Sequence, residues 1–394
     1  MLKAYKFRLK PNQEQIKLIE KHFDNTRFLY NHFLGEAKNH NMKLSKKYMQ
    51  ESLKHMKKSF MYEWLSDSNS QSLQVATHQL MDAFIRIKKT KSGYPTWKKR
   101  HNTHQSFSIP QSVKVIDRKL YIPKFTKMPI RIKLHREIPD TATIKSATVS
   151  RHNNKYFVSI LIDDNIEVRP KKQILSSVGI DMGLTDFAIL SNGEKHDNQR
   201  FTKRYEKKLA KLQRQMSKKV NGSNNKNKLK VKVQKVHDKI ANSRKDFIHK
   251  LTNQITKDFD VICIETLKSS NMMKNRRLSK AIGDVSWFEF ARQLKYKASW
   301  RGKYLVKIDQ WFPSSKLCSS CGAKVKKMPL NIRKWTCKEC NVTHDRDINA
   351  SKNIEVQGLH GLLLEYPLVG FDTYYQASHG MLKKEAPTKL AIAS

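Results

Sequence analysis

The sequence has few acidic residues to balance its basic ones. Asp and Glu together number 34, against 78 Lys and Arg, which leaves a formal net charge of +44 and a pI of about 10.1. Solubility alone does not account for this charge, because self-repulsion destabilises a compact state. Nucleic acid is the favoured partner, since Lys and Arg that meet phosphates release condensed counterions.

Long apolar runs are also missing. No window approaches the ~18 apolar residues of a transmembrane span. The N-terminal segment MLKAYKFRLKPNQEQ has no apolar h-region of a secretory signal. A membrane surface is the competing partner, but it would require an amphipathic helix beside an apolar anchor. We therefore expect no membrane partner and a cytoplasmic protein.

Cysteine is scarce, and its placement is informative. Four of the five cysteines form two CxxC pairs that are fifteen residues apart: Cys318 and Cys321, then Cys337 and Cys340. Without a secretory signal, this pattern indicates metal thiolates and not disulfides. The spacing is that of a four-thiolate zinc ribbon, with Gly322 suited to the turn after the first pair. Four thiolates close the coordination sphere, so we predict one structural Zn²⁺. Cys263, alone in the apolar run VICIE, is predicted to be an inert core residue.

The front of the chain has a β-rich texture with a helical interruption. Residues 2–9 alternate apolar and polar, which predicts a strand, and helical spacing follows from Pro11 to about residue 90. Short β-like runs divided by prolines extend from Phe107 to Glu167. We predict a β-barrel-like module that carries a helical insertion. The aromatics Tyr48, Trp64, Tyr94 and Trp97 are candidates for stacking on bases, although core packing is expected for each.

From residue 171 onward, strands and helices alternate, which predicts a mixed α/β sheet. Residues 200–258 indicate a helical hairpin broken by NGSNN. Its arms carry dense Lys and Arg and few acids, so we expect a surface that follows phosphates, in preference to a merely solvated helix face. From Gly358 the pattern is weak, and much of the segment 358–394 is expected to be loosely ordered.

Three acids stand at the ends of predicted core elements. Asp181 ends the strand VGID, Glu265 ends the strand VICIE, and Asp347 begins the helix DINASKNI. An acid at a strand end is usually a solvated cap, and Asp347 is equally placed to be an ordinary helix N-cap. Two buried strands that both end in acids, in a chain that binds polyanions, favour another interpretation. In that interpretation, the carboxylates converge on two Mg²⁺ ions ~3.5–4 Å apart, and the bound ions promote cleavage of phosphodiesters.

Several segments carry a family resemblance. VGIDMGLTDFAILSNGE, ICIETL, WFPSSKLCSSCG and CKECNVTHDRDINASKNI resemble signature segments of the TnpB (OrfB) family of insertion sequences, which is related to the type V CRISPR effectors. YKFRLKPNQEQ, TRFLYNHFL and GYPTWKKRHNTHQSFSIP resemble its front half, so the match covers roughly residues 1–356.

The resemblance implies an RNA-guided DNA endonuclease with an RNase H-like (RuvC) fold. Its catalytic, Mg²⁺-binding acids fall on Asp181, Glu265 and Asp347, and Asp345 is expected to be solvated or to support the site. A guide RNA from the transposon end would select double-stranded target DNA beside a short flanking motif. The α/β multidomain organisation expected along the chain is a β-barrel-like wedge domain (1–10 and 105–170), a helical recognition insertion (11–104), a RuvC-like nuclease domain (171–314 and 344–357), an inserted zinc ribbon (315–343), and a C-terminal tail (358–394).

Two other functions remain open at this point. One is an RNA-guided DNA-binding repressor without cleavage, which the presence of all three acids disfavours. The other is a DNA-binding transposase or accessory protein, which is disfavoured because the sequence offers no separate domain for binding transposon ends.

Overall fold

The computed structural model describes residues 1–39, 44–90, 92–102, 104–171, 173–329, 331–365 and 391–392. It divides the chain into two compact units, Met1–Glu167 and Val168–Ser394. The finer division into wedge, insertion, nuclease and ribbon stays a prediction. No helix within the described ranges combines the length and apolar character needed to cross a membrane.

The first unit contains a seven-stranded antiparallel sheet. Its strands are β1 (Leu2–Lys10), β2 (His104–Ile109), β3 (Lys114–Ile116), β4 (Lys119–Tyr121), β5 (Ile130–Lys133), β6 (Thr143–His152) and β7 (Lys155–Asp163). They lie in the order β2-β6-β7-β1-β5-β4-β3. Alternation along β1 buries Phe7 and Leu9, which confirms the strand expected at residues 2–9. Closure of this sheet into a barrel is not seen among the described residues, where β2 and β3 form the two edges.

Helices follow β1 in this unit. They are α1 (Gln13–Asn39), α2 (Lys46–Lys58) and α3 (Ser70–Thr90), with a 3₁₀ segment at Phe60–Asp67. Helix α1 begins at a reciprocal cap, because the Asn12 and Gln15 side chains accept from each other's backbone N–H groups at 2.8 and 2.9 Å. Tyr48 and Trp64 pack against the helical core as expected. The same expectation is wrong for Tyr94 and Trp97, which are 49% and 44% exposed.

The second unit is built on a six-stranded mixed sheet. Its strands are β8 (Ser177–Asp181), β9 (Asp186–Leu190), β10 (Lys195–Asp197), β11 (Val261–Glu265), β12 (Tyr304–Ile308) and β15 (Ala391–Ile392), in the order β10-β9-β8-β11-β12-β15. The central strands β8, β11 and β12 are parallel. A separate two-stranded ladder pairs β13 (Lys334–Thr336) with β14 (Thr343–Asp345).

Helices cover both faces of this sheet. They are α4 (Phe201–Ser217), α5 (Asn224–Asp258), α6 (Ser269–Met272), α7 (Ser279–Val285), α8 (Trp287–Trp300) and α9 (Arg346–Glu365). On β11, Ile262 and Ile264 pack with residues of α5 and α8, whereas Val261 and Cys263 pack with residues of α9. This two-sided burial explains why the strand is a continuous apolar run. Cys263 is fully buried, and burial raises the pKa of its thiol, which keeps the thiol protonated. This agrees with the prediction of an inert core residue.

Helices α4 and α5 form the hairpin that the sequence predicts. Phe201 of α4 packs against Val236 and Ile240 of α5. The pairing buries one apolar stripe and leaves most of the lysines on the outer surface.

The expected tail differs from the structure in the part that is described. Helix α9 continues past Gly358 to Glu365, and β15 pairs with β12. The helix continues because Leu359 and Leu362 are fully buried. Gly358 lies within it, against Cys263, where a Cβ atom would overlap the sulfur. Residues 358–365 and 391–392 are therefore part of regular elements, and the expectation of loose order stays a prediction for the remainder. The rest of that segment lies outside the described residues.

Candidate active site and cysteine cluster

Two of the three predicted acids end adjacent parallel strands. Ile180 pairs in register with Ile264, and the next residues along these two strands are Asp181 and Glu265. Because both strands run the same way, their carboxyl ends meet at one edge of the sheet. The structure therefore brings Asp181 and Glu265 to the same edge.

The third acid comes from helix α9, which lies directly on β8. A Cβ atom at Gly179 would overlap the backbone oxygen of Ser351 and lie 2.6 Å from the backbone nitrogen of Glu355. The two backbones are thus in contact, as only a glycine allows. Asp347 is in the first turn of this helix.

The electrostatics reflect this convergence. Burial, with the negative charges of Glu265 and Asp347, raises the pKa of Asp181 to about 8, although Arg346 opposes the shift. Burial also raises the pKa of Glu265, against a hydrogen bond that stabilises its charged form. Asp181 is therefore buried beside negative charge that Arg346 offsets only in part.

Polar partners hold two of these carboxylates. The Ser314 hydroxyl donates to Oε1 of Glu265 at 2.8 Å. The Arg333 guanidinium donates to Oδ2 of Asp347 at 2.9 Å. Carboxylate oxygens are the ligands that Mg²⁺ prefers, and a divalent cation would relieve the repulsion around Asp181. The donor set fits Mg²⁺.

Asp345 has a structural role that differs from that of the three converging acids. Its Oδ1 accepts from the backbone N–H groups of Asp347 and Ile348, both at 3.1 Å, which caps helix α9. Its Oδ2 accepts from Lys195 Nζ at 2.7 Å. Burial acts in the opposite direction, but these bonds lower the pKa of Asp345. Asp345 thus fixes the start of the helix that carries Asp347.

The four cysteines converge on one point. Their sulfur atoms all lie within 4.8 Å of one another, with Sγ–Sγ distances of 3.6 Å for Cys318–Cys340 and 3.7 Å for Cys321–Cys337. Zn–S bonds of ~2.3 Å in a tetrahedron separate sulfurs by about 3.8 Å. The cluster therefore has the dimensions of a four-thiolate zinc site.

The two CxxC turns have the same construction. The N–H of Gly322 donates to the carbonyl of Cys318 at 2.8 Å, and that of Asn341 to the carbonyl of Cys337 at 2.9 Å. Both Gly322 and Asn341 have left-handed backbones, with φ of 77° and 57°. Nε2 of buried His344 lies 3.1 Å from Sγ of Cys318, at hydrogen-bonding distance from a thiolate. The roles of Asn341 and His344 were not foreseen from the sequence.

Helix α9 connects the cysteine cluster to the acidic edge. The Asn349 amide donates to the Leu317 carbonyl at 2.7 Å and accepts from the Ser319 N–H at 2.8 Å. One turn later, the Asn353 amide donates to the carbonyls of Ser314 and Leu317, both at 2.8 Å. Both amides are buried. They bind the segment that runs from Ser314, the partner of Glu265, to the first CxxC turn.

The acids and the cysteines differ in how tightly they cluster. Across the described parts of the chain, the cysteines are the only group of three or more Cys, His or acidic side chains whose ligand atoms all lie within 4.8 Å of one another. The three carboxylates interact electrostatically without packing that closely.

The second unit is therefore an α/β fold with converging acids and a four-cysteine cluster. The chain as a whole is similar to a solved structure, a cryo-EM Cas12f1–sgRNA–target DNA complex, with a TM-score of 0.54 over 87% of this chain and 83% of that one. The sequences are 16% identical, so the likeness concerns the fold. Residues 287–354 match the family model of the Cas12f1-like TNB domain.

Other family models and full-length relatives give a narrower classification. Residues 157–276 match the OrfB model of IS605, described as "Probable transposase", and residues 1–42 match the helix-turn-helix domain of OrfB. In this chain, the described part of that second match forms β1 and the single 27-residue helix α1.

Two relatives carry the name "Putative RNA-guided DNA endonuclease". The one from Streptomyces pristinaespiralis is 38% identical over 91% of this chain and 89% of its own length. The other, InsQ of Escherichia coli K12, is 33% identical over 92% of this chain and 93% of its own length. The chain belongs to the TnpB (OrfB) family of RNA-guided DNA endonucleases.

Proposed function

We propose that this chain is a transposon-associated, RNA-guided DNA endonuclease whose RuvC-like site hydrolyses phosphodiesters with Mg²⁺. The observation that carries the proposal is the convergence of Asp181, Glu265 and Asp347, where burial and the charges of the other two acids raise the pKa of Asp181 to about 8. A buried carboxylate beside two like charges is a costly arrangement that binding of divalent cations explains. The named relatives do not favour a transposase or a silent repressor.

Asp181, Glu265 and Asp347 are the proposed Mg²⁺ ligands. Two bound Mg²⁺ ions would supply an activated water and stabilise the leaving oxygen. The protein's own contribution is to hold the carboxylates in place. Ser314 orients Glu265, and Asp345 with Lys195 fixes the first turn of α9 and hence Asp347.

The cysteine cluster is proposed to bind one structural Zn²⁺. Its four thiolates leave no open position for substrate, so the metal would act only by ordering the chain. That chain includes Leu317 and Ser319, which helix α9 binds through Asn349.

Guide RNA and double-stranded target DNA with a short flanking motif are the proposed partners. The charge of +44 and the lysine-rich α4–α5 hairpin suit a bound RNA and its heteroduplex with DNA. Because its substrate would be cellular DNA, we expect the protein in the cytoplasm at the nucleoid.

The experiment begins with the RNA that co-purifies with the full-length protein. Sequencing it should give one long RNA with a constant part and a guide part. DNA matched to the guide part should be cut only when Mg²⁺ is present. Protein that retains no specific RNA would contradict the proposal.

Substitution of the acids tests their roles. Asp181→Ala, Glu265→Ala and Asp347→Ala should each abolish cleavage and leave RNA and DNA binding nearly intact, because these side chains act on the metal and not on the fold. Asp246→Asn is the matched control, since Asp246 is an exposed acid of α5 (63% exposed) that forms an ion pair with its helix neighbour Lys250. Strong cleavage by any alanine variant would remove that residue from the catalytic set.

A further inference from the structure

The loop after β12 begins and ends beside Glu265. Ile308, the last residue of β12, pairs in register with Glu265, and its carbonyl accepts from the Thr266 hydroxyl at 2.7 Å. Ser314, six residues later, donates to the Glu265 carboxylate at 2.8 Å. The five residues between these anchors, 309–313, therefore lie at the same edge of the sheet as the proposed catalytic acids.

Trp311 is at the middle of this loop and is exposed. Its side chain is 81% exposed, whereas the adjacent Phe312 packs against the core beneath the sheet. The loop has a defined shape, because the Trp311 N–H donates to Oδ1 of Asp309 at 2.7 Å and the Ser314 N–H donates to the Phe312 carbonyl at 2.9 Å. These hydrogen bonds order the backbone of the loop, so the exposed indole projects from a defined position.

Chain length limits how far the indole can be from the acids. Trp311 is three residues from each anchor, and an extended chain spans at most ~3.6 Å per residue, so its Cα lies within about 11 Å of Ile308 and Ser314. Successive nucleotides of one stacked strand are ~3.4 Å apart along the axis. Side chains add to this distance between Cα atoms, so the indole lies within a few nucleotide steps of the acids.

An isolated exposed aromatic residue often has no function. Two observations argue for one here: both ends of the loop are fixed beside Glu265, and Phe312 already fills the core position. An indole ring offers a π-face on which any base can stack, so it suits a strand whose sequence the protein does not read. The exposed Lys316 lies just beyond the loop and can meet the phosphates.

We infer that Trp311 is a stacking site for an unpaired base of the DNA strand that enters the active site, within a few nucleotides of the scissile phosphate. This inference rests on the proposed nuclease function. By holding that base, Trp311 would fix the position of the phosphodiester relative to Asp181 and Glu265. Its role is to bind and position the substrate, and it takes no part in the chemical step.

The test compares Trp311→Phe, which keeps an aromatic face, with Trp311→Leu, which keeps apolar bulk but removes that face. The probe is a single-stranded oligodeoxynucleotide with one 5-iodouracil base, bound to full-length, RNA-loaded protein that carries Asp181→Ala so that DNA is not cut. Light links this base to an aromatic ring stacked on it. Trypsin then releases residues 308–316, IDQWFPSSK, as one peptide whose cross-link mass spectrometry detects.

We expect cross-linking to this peptide with Trp311 and with Trp311→Phe, and its loss with Trp311→Leu. With Asp181 restored, Trp311→Leu should cut DNA matched to the co-purifying RNA about 10-fold more slowly, since stacking contributes ~5- to 150-fold per base, while Trp311→Phe should stay close to the native rate. Zinc content and thermal stability should be unchanged, because the side chain is exposed.

Cross-links that avoid residues 308–316, or that persist there with Trp311→Leu, would overturn the inference. So would equal cleavage rates for the Leu and Phe variants. If the native protein cuts no DNA, the proposed function fails, and the cross-link still reports whether a base stacks on Trp311. Phe60→Leu is the control for loss of an exposed aromatic residue, since Phe60 is 90% exposed and lies in the first unit.

Discussion

At the scale of single residues, Asp181 makes the acidic edge sensitive to pH. Its pKa is about 8 in the folded protein, against an ordinary value of 3.8. Between these values the folded state binds more protons than the unfolded state, so the stability of the Mg²⁺-free protein falls as pH rises from about 4 to 8. Replacement by Asn removes the titrating group and keeps its size.

We therefore expect Asp181→Asn to raise the melting temperature of the Mg²⁺-free protein, and to raise it more at pH 8 than at pH 5. Thermal unfolding in Mg²⁺-free buffer at both pH values measures this. Asp246→Asn, which removes an exposed charge, should show no such trend. An equal gain from Asp181→Asn at both pH values would mean that the carboxyl is not under electrostatic strain.

Asn349 is the residue through which helix α9 binds the first CxxC turn. Asn349→Asp replaces the amide that donates to Leu317 by a buried carboxylate facing that carbonyl. The protein should lose about 2–3 kcal/mol of stability and most of its cleavage, while all four thiolates remain to bind zinc. Denaturant unfolding, zinc analysis and a cleavage assay test this, with Asn192→Asp in an exposed turn as the control. Native cleavage by Asn349→Asp would show that the contact has no part in positioning the site.

At the scale of elements, the cysteine cluster and helix α9 should behave as one unit. Cys340 is only seven residues before Asp347. Cys337→Ser exchanges a soft thiolate for a poor neutral ligand, so we expect it to lose both zinc and most cleavage. Asp347→Ala should lose cleavage and keep its zinc. Metal analysis beside a cleavage assay separates the two, and a zinc-free Cys337→Ser protein that cuts at the native rate would show that cluster and site are uncoupled.

Elements were predictable where one residue pattern determined them. VICIE and VGID were identified as strands because both faces of the sheet are covered, which leaves an unbroken apolar run. The CxxC spacing likewise identified the cysteine cluster. The extension of α9 beyond Gly358 was not predicted. Gly358 is needed in the helix because it lies against Cys263, and this contact joins residues 95 positions apart, so the local sequence does not indicate it.

The partners of the acids were not predictable for the same reason. Lys195 meets Asp345 across 150 residues, and Ser314 meets Glu265 across 49. Nothing in the local sequence around either acid indicates these contacts. The sequence gives the candidate acids, whereas their supports depend on how the sheet brings distant segments together.

At the scale of the whole molecule, the charge of +44 should dominate affinity for nucleic acid. If the protein contacts ~6–10 phosphates, binding should weaken by ~10³–10⁵ between 50 and 200 mM salt, because released counterions must be recondensed. A titration with labelled RNA across that range measures the slope. An affinity that stays flat would refute the electrostatic account of binding.

The backbone contact at Gly179 bears on how activity is inferred across a family. One added methyl group there would push α9 off β8, and Asp347 would move away from Asp181 with it. Such a change would leave all three acids, all four cysteines and the basic surface in the sequence. A nuclease could thus become a guided DNA binder through a position that no catalytic motif includes. Counting acids in a relative is therefore insufficient evidence of cleavage, and the residue two places before the first acid has to be inspected as well.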